Sequence, residues 1–328
     1  MLSMLAVVMI GCGPDFDPGS LITKPRLLAA QLHVADNPTA AWPAPGQDVT
    51  IEWLAVDPSS TTASFEWAFG TCVAAPTLSG GQLCAQSPFG LVQGAGSTPT
   101  YELKVPELDA LAGASALLVA GVLCGRGSLV FDQSGEFEDL EGNPDVFLQL
   151  DELIQCVGDG AERMLVSFVV PLKSGEQNNQ HPDLGAVPMT LNDQQWPITQ
   201  GVLDPTMSCA ELEAKAAVPS IPRDQEEVIL QQYFNGSERE FYQSLDAPGE
   251  NQRELLQLSQ FTTAGELDRQ FTVIEADAAD QVLVEINWQL PNPDQLPDTD
   301  FLVHFYFVGR DLRGGSDWTL RSICIPSR

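Results

Sequence analysis

Apolar and polar residues alternate most regularly between positions 48 and 56. Val49, Ile51, Trp53 and Ala55 recur at every second position among mostly more polar neighbours. Because successive side chains of a β-strand point to opposite faces, this spacing predicts a strand with one buried face. A turn-forming run at 57–60 ends this strand, and a second, aromatic-rich strand is predicted to begin near residue 63.

Similar patterns recur along the whole chain. Alternating or continuously apolar runs predict further strands over 101–105, 117–124, 164–170, 227–233, 255–261 and 282–288. Near the end, residues 301–308 and 316–325 flank a turn containing Gly314-Gly315 and predict a hairpin. A strand with one buried face needs a second sheet to cover it. The predicted fold class is therefore all-β, built from antiparallel β-sandwiches.

The chain divides at a polar segment near its middle. Residues 174–181 contain no hydrophobic residue and are interpreted as a linker. A chain of 328 residues fits two domains of ordinary size, which are predicted over 25–173 and 182–328. The second contains the one good helical pattern, 209–217, which follows Ser208 as a candidate N-cap.

Three short sequences resemble those of a known group of domains. The loop after the first strand begins Asp57-Pro58, the next strand carries Phe65-Glu66-Trp67, and the last hairpin has Asp311 and Gly314-Gly315 in its turn. These features resemble the immunoglobulin-like domains of the polycystic-kidney-disease (PKD) and cadherin-like kind found on bacterial surfaces. The resemblance implies two tandem immunoglobulin-like sandwiches and says little about function. The further Asp-Gly-Asp typical of that loop is missing, so no calcium site is implied there.

The first residues carry the clearest functional signal. A short apolar run ends in Met9-Ile10-Gly11-Cys12, which resembles the lipobox of bacterial lipoproteins. The resemblance implies a signal peptide over 1–11, lipidation of Cys12 and a membrane attachment through that lipid. Since residue 13 is Gly rather than Asp, it also implies sorting to the outer membrane. No Lys or Arg occurs in 1–11, and the alternative is an apolar tail or the remnant of a longer membrane segment.

Two segments follow before the first predicted strand. Residues 12–24 are rich in helix- and strand-breaking residues and are interpreted as a flexible tether. Residues 21–40 show no regular alternation and are interpreted as a mixed lead-in.

Charge restricts the partners of the chain. Forty-five acidic residues against fifteen basic ones give a formal net charge of −30. Such a surface repels nucleic acid and anionic lipid headgroups, so neither is expected as a partner. The simplest reason for the acidity is solubility, or life in a salty medium.

The number of cysteines supports export. Seven are present, and assigning Cys12 to the lipid leaves six, enough for three disulfides in an oxidising compartment. Pairing neighbours within each predicted domain favours one of fifteen possible connectivities: Cys72–Cys84, Cys124–Cys156 and Cys209–Cys324. No Cys-x-x-Cys pair is present, which argues against a thiolate metal cluster.

Candidate ligand sites are few. The acidic insertion over 131–145 offers four weak calcium candidates, but its spacing does not match an EF-hand loop, because Phe137 stands where that loop requires Gly. These four are Asp132, Glu136, Glu138 and Asp139. Trp42 and Trp196 lie in loop context, where packing is favoured over an exposed platform for a sugar or protein.

Catalytic signatures are missing from the sequence. It contains no Gly-x-Ser-x-Gly, His-Glu-x-x-His or P-loop motif, and its histidines are His33, His181 and His304. We therefore expect a non-catalytic, lipid-anchored cell-envelope protein without a cofactor, which binds an unknown protein or polysaccharide or serves a structural role. The alternatives are a calcium-stiffened adhesin, a carbohydrate-binding surface protein and, less favoured, a secreted carboxylate-dependent hydrolase.

Overall fold

The computed structural model describes most of the chain after residue 17. The described residues are 18–59, 63–76, 82–111, 113–131, 153–173, 178–201, 203–204, 206–243 and 251–327. Cys12, the predicted signal peptide and the four calcium candidates lie outside these ranges: the calcium candidates are Asp132, Glu136, Glu138 and Asp139.

The first half of the chain forms an antiparallel β-sandwich. Its strands are β1 (Arg26–Val34), β2 (Asp48–Val56), β3 (Phe65–Pro76), β4 (Gln82–Cys84), β5 (Phe89–Gly96), β6 (Thr100–Lys104), β7 (Ala116–Gly125), β8 (Ser128–Phe131), β9 (Ile154–Val157) and β10 (Glu162–Pro171). One sheet has the order β1-β2-β6, and the other has the order β10-β7-β3-β4 with β5 also paired to β3. The strands β8 and β9 form a separate ribbon.

The alternating residues of β2 face the core of this sandwich. Val49, Ile51 and Trp53 are buried, and Trp53 stacks on Phe69 of the opposite sheet with ring centroids 4.3 Å apart. Residues from both sheets contribute to this single core, so burial of their apolar faces holds the two sheets together. We call this unit the N-terminal sandwich.

The second half forms another pair of sheets. Its strands are β11 (Met189–Leu191), β12 (Gln194–Gln195), β13 (Glu227–Phe234), β14 (Phe241–Gln243), β15 (Asn251–Arg253), β16 (Leu256–Thr262), β17 (Glu266–Leu267), β18 (Phe271–Ile274), β19 (Val282–Gln289), β20 (Phe301–Arg310) and β21 (Ser316–Ile325). The two sheets have the orders β12-β11-β13-β19-β17 and β18-β16-β20-β21, and β14 pairs with β15. A core built around Trp196, Trp288 and Phe305 lies between the two larger sheets. We call this unit the C-terminal sandwich.

One short α-helix, α1 (Cys209–Ala216), packs beside β21. The side chain of Ser208 accepts a hydrogen bond from the backbone N–H of Glu211, and the Glu211 side chain accepts from the backbone N–H of Ser208. This capping box satisfies two N–H groups that a helix start leaves unpaired. The helix ends at Ala217, which has a left-handed conformation with φ of 51°.

Three disulfides join six of the seven cysteines. They are Cys72–Cys84, Cys124–Cys156 and Cys209–Cys324, the same three pairs that the neighbour rule favours. The last one links α1 to β21 across 115 residues of sequence.

The predicted all-β fold with a short helix is confirmed. Two segments differ from their sequence-based interpretation. Part of the predicted lead-in is strand β1, and part of the predicted flexible tether is packed against the C-terminal sandwich. There, Ile22 is buried and donates its backbone N–H to Thr262, while Thr262 donates to Ser20.

Candidate functional site: the joint between the sandwiches

The two sandwiches meet along the outer edge of β1. Three alternate carbonyl oxygens on this edge, those of Leu28, Ala30 and Leu32, accept hydrogen bonds from side chains outside the N-terminal sandwich. The donors are Arg310 Nη2 at 2.5 Å from Leu28 O, Ser316 Oγ to Ala30 O, and His181 Nε2 at 2.6 Å from Leu32 O. Because the free edge of a sheet exposes unpaired backbone groups, these side chains act as caps. Three segments are in contact here: β1, residues 178–181 and residues 310–316. We call this region the joint.

The hydrogen bonds of His181 determine which of its nitrogens carries the proton. Its Nε2 must donate, since a carbonyl oxygen can only accept, and its Nδ1 accepts from the backbone N–H of Ser316 at 3.1 Å. The imidazole is therefore neutral in this arrangement. Burial lowers the pKa of His181 below its ordinary value of 6.5, which also favours the neutral form.

An apolar patch lies beside the capped edge. It combines Leu28 and Ala29 of β1 with Phe261 and Val308 of the C-terminal sandwich, and each of these four residues is buried. β1 thus contributes to two cores, because Leu32 and Val34 belong to the core of the N-terminal sandwich. A shift in register between residues 27 and 29 accompanies this double role.

Asp311 holds the hairpin turn that carries two of the caps. Its Oδ1 accepts from the backbone N–H groups of Arg313 at 2.7 Å and Gly315 at 2.8 Å, and its Oδ2 accepts from Asn179 Nδ2 at 2.7 Å. Gly314 has φ of +111°, and a Cβ there would come within 2.9 Å of Pro171. The glycine therefore allows both the turn and the close approach of the N-terminal sandwich.

Arg313 extends the joint with an aromatic and ionic cluster. Its guanidinium carbon lies 4.1 Å from the ring centroid of Tyr242 and 5.0 Å from that of Trp42. The guanidinium pairs with Glu254 at 2.5 Å and lies 3.9 Å from Glu240. The Trp42 indole in turn donates to the backbone oxygen of Arg313 at 2.7 Å. One arginine therefore connects residues of both sandwiches.

Two buried carboxyls in this region have raised pKa values. Burial, followed by the charge of Asp311, raises the pKa of Glu254 from 4.5 to about 7, and burial raises the pKa of Asp311. All their oxygens accept hydrogen bonds: Glu254 binds Arg313 and the backbone N–H of Glu240. The 370 Å³ cavity beside the turn is lined by Gly314 and Gly315 and by neither carboxyl. Both acids therefore accept hydrogen bonds that hold the joint.

The described part of the predicted linker, residues 178–181, is packed within the joint. Asn179 is fully buried and accepts at its backbone oxygen from the N–H of Ala41 at 2.9 Å. The backbone N–H of Gln180 donates to Glu240 at 3.0 Å, and that of His181 donates to Thr39 at 2.8 Å. The polar residues of this segment therefore belong to a connection that is hydrogen-bonded to both sandwiches.

The other residues singled out from the sequence have structural roles where they are described. Trp196 is 1% exposed and its indole donates to Ser322 O at 3.0 Å, while Trp42 is partly buried against Arg313. His304 is buried, and burial lowers its pKa to about 4. The packing interpretation of the two tryptophans is thus the one that the contacts favour.

One cluster has the composition of a metal site but not its chemistry. Cys209, Cys324 and Asp300 place their ligand atoms within 4.8 Å of one another. The two sulfurs are bonded to each other, so neither can supply a thiolate. Asp300 accepts backbone N–H bonds from Cys209 and Ser327, both at 2.7 Å.

The three capping residues are not among the functional residues that the sequence predicts. Arg310, Ser316 and His181 lie 135 to 286 residues from the groups they contact in the joint, so no local pattern relates them. The one available signal is the Arg310-Asp311-Leu312-Arg313 run, which places two of only fifteen basic residues in one turn of an acidic chain.

No protein-family model matches this chain, and no curated protein matches it either. Among the described residues, no helix is both long and apolar enough to cross a membrane.

Proposed function

We propose that this chain is a non-catalytic lipoprotein of the bacterial cell envelope, attached to the outer membrane through a lipid on Cys12. Its two sandwiches, which we assign to the immunoglobulin-like class, act together as a binding or structural module.

The observation that carries the proposal is the complete pairing of the other cysteines. Three disulfides use all six cysteines between Cys72 and Cys324, which leaves Cys12 as the single cysteine for another role. Disulfides persist in oxidising compartments, and a free cysteine at the end of a signal-like run matches the lipobox pattern.

The joint supports a binding or structural role over catalysis. Its carboxyls are buried and hydrogen-bonded, which weakens the case for a carboxylate-dependent hydrolase. The contacts of Trp42 and Trp196 weaken the case for a sugar platform at those two residues. The calcium-stiffened adhesin remains a prediction, since its candidate residues lie outside the described ranges.

Membrane fractionation of a Cys12→Ser variant tests the proposal. We expect the wild-type chain in the membrane fraction and the variant in the soluble fraction, with Gly13→Ala as a neighbouring control that stays with the membrane. Membrane retention of the Cys12→Ser variant would contradict lipid anchoring.

Intact mass after thiol alkylation gives an independent measurement. The mature chain should carry the mass of a lipid on Cys12 and take up no alkylating reagent, because its other cysteines are paired. A chain that retains residues 1–11 and an alkylated Cys12 would count against the proposal.

A further inference from the structure

A cavity of 740 Å³ lies between the β11–β12 hairpin and helix α1 in the C-terminal sandwich. Its walls are residues 185–189 and 195–198 beside the hairpin, and residues 213–217 at the end of α1. Most of these residues are apolar. Cavities of roughly 300 to 1,000 Å³ with a mainly apolar lining and a few polar groups are typical sites for small organic ligands.

The buried side chain of Arg321 is the polar group at the base of this cavity. Arg321 lies on β21 opposite Phe305 and is 3% exposed. Its Nη1 donates to the backbone oxygen of Trp196, and its Nη2 donates to that of Val187 at 3.4 Å. Trp196 and Val187 flank the β11–β12 hairpin, and both line the cavity together with Arg321. The guanidinium therefore joins the two ends of the hairpin within the cavity wall.

The charge of Arg321 is not balanced by a carboxylate in the described part of the chain. None of the ion pairs there involves Arg321. Burial alone lowers the pKa of Arg321 to about 10, so the guanidinium stays charged at neutral pH. A buried charge without a counter-ion is unfavourable, and an anion that enters the cavity would compensate it.

The guanidinium also has N–H groups left for a ligand. The structure shows acceptors for two of its five N–H groups, and Nε has none among the described residues. The residues near this cavity in sequence that lie outside the described ranges are Val202 and Pro205, which carry no charge.

The other charged residues of the lining cancel each other. Glu213 and Lys215 are both exposed on α1, and Lys215 pairs with Glu211 at 3.5 Å. The lining therefore carries one net positive charge, that of Arg321, whereas the whole chain carries −30. A cationic base and largely apolar walls suit an anion with an apolar body better than an inorganic ion.

We propose that this cavity binds a small organic acid, whose carboxylate accepts hydrogen bonds from Arg321 and whose apolar body packs between the hairpin and α1. This inference deepens the proposed binding role and rests on it, but it does not depend on the lipid at Cys12.

Fluorescence titration with dansylglycine tests the proposal on the soluble Cys12→Ser chain, which retains every residue of the cavity. The control probe is dansylglycinamide, which has the same aromatic body but no charge. We expect the acid to bind roughly tenfold more tightly than the amide, because only the acid compensates the charge of Arg321. Sulfate at the same concentration should not displace the acid, since it has no apolar body.

A pair of alanine substitutions on α1 locates the site. Ala214 is exposed and lines the cavity, so the ring of Ala214→Phe should occupy it and weaken binding of the acid roughly tenfold. Ala210→Phe is the matched control, because Ala210 is exposed on the same helix and does not line the cavity. This control should bind the acid like the parent chain.

Arg321→Met tests the charged group itself. This variant should bind the acid and the amide equally, and circular dichroism should show that it is folded. If the loss of the bonds to Trp196 and Val187 unfolds it, the comparison of Ala214→Phe with Ala210→Phe still decides whether the probe occupies this cavity.

Several outcomes would overturn the proposal. They are no measurable binding of the acid, equal binding of acid and amide to the parent chain, displacement of the acid by an equal concentration of sulfate, and binding that Ala214→Phe leaves unchanged. None of them would alter the membrane fractionation of the Cys12→Ser variant, so failure here is distinguishable from failure of the lipid-anchor proposal.

Discussion

Two edge strands of the N-terminal sandwich, β1 and β10, contrast sharply. Three alternate carbonyls of β1 are capped by Arg310, Ser316 and His181, and an apolar patch lies beside them. On β10, a ten-residue regular strand pairs with β7 alone among the described residues. The difference shows that side chains from a second unit can protect a sheet edge without extending the sheet. Four predictions test or sharpen this contrast, in order of decreasing effect.

The largest effect is expected from Asp311→Ala. The change leaves Asn179 Nδ2 and the backbone N–H groups of Arg313 and Gly315 buried without their acceptor. We expect a loss of about 4 kcal/mol in the free energy of unfolding, measured by denaturant titration. The exposed Asp277→Ala should change it by less than about 0.5 kcal/mol. Equal effects of the two substitutions would show that Asp311 does not hold the joint.

The pH dependence of stability should carry two opposing contributions from the joint. The pKa of Glu254 is raised from 4.5 to about 7, so its contribution is fully present below pH 4.5 and is lost as the pH rises through 7. The pKa of His181 is lowered from 6.5, so its contribution is present above that pH and is lost as the pH falls further. Asp311 has a raised pKa and acts in the same direction as Glu254.

Glu254→Gln and His181→Gln should separate these contributions in unfolding titrations at a series of pH values. Glu254→Gln should reduce the loss of stability between pH 4.5 and 7 by about 3 kcal/mol, since each unit of the shift in pKa corresponds to about 1.4 kcal/mol. His181→Gln should reduce the loss in the free energy of unfolding as the pH falls below 6.5, and it should leave the stability above pH 6.5 unchanged. A pH profile that neither substitution alters would exclude both groups as its source.

A smaller effect is expected from Ser316→Ala, which removes the cap on Ala30 O. The partly buried carbonyl loses its partner, and we expect a loss of about 1 kcal/mol in the free energy of unfolding. Ser128→Ala is the matched control, because its exposed hydroxyl donates to Glu66 and should contribute little. In a double-mutant cycle, the losses in the free energy of unfolding caused by Ser316→Ala and by Arg310→Met should not be additive if the two caps act together.

The smallest effect on stability is expected on the open edge. Leu165→Lys should change the free energy of unfolding by less than about 0.5 kcal/mol, because Leu165 is already 57% exposed. The same substitution should slow aggregation of the mature chain on heating, as light scattering would show. Strong destabilisation would mean that this edge is covered like that of β1.

The sequence predicted the parts of the fold that depend on local pattern. The alternation in β2, the Ser208–Glu211 capping box of α1 and the Gly-Gly turn of the last hairpin each have a local physical cause. The strand β1 was missed because residues 27–30 are all apolar, so no alternation is visible. That run is apolar because β1 packs against both sandwiches.

The joint lay beyond prediction from local pattern for a different reason. Arg310 and Leu28 are 282 residues apart, and a guanidinium that caps a carbonyl needs no characteristic sequence at either end. Similarly, the polar residues at 178–181 have the composition of a linker, although Asn179 is fully buried. Composition reports how polar a segment is, but tertiary contacts decide whether it is solvated.

The caps on β1 also bear on the order of folding. The ribosome synthesises the N-terminal sandwich before residues 310–316. Until those residues are made, the outer carbonyls of Leu28 and Ala30 in β1 lack the side chains that cap them. Contacts of such large sequence separation form late. In that interval the edge of β1 is open in addition to that of β10, which pairs with β7 alone among the described residues, and the newly made chain is most prone to pair with its neighbours.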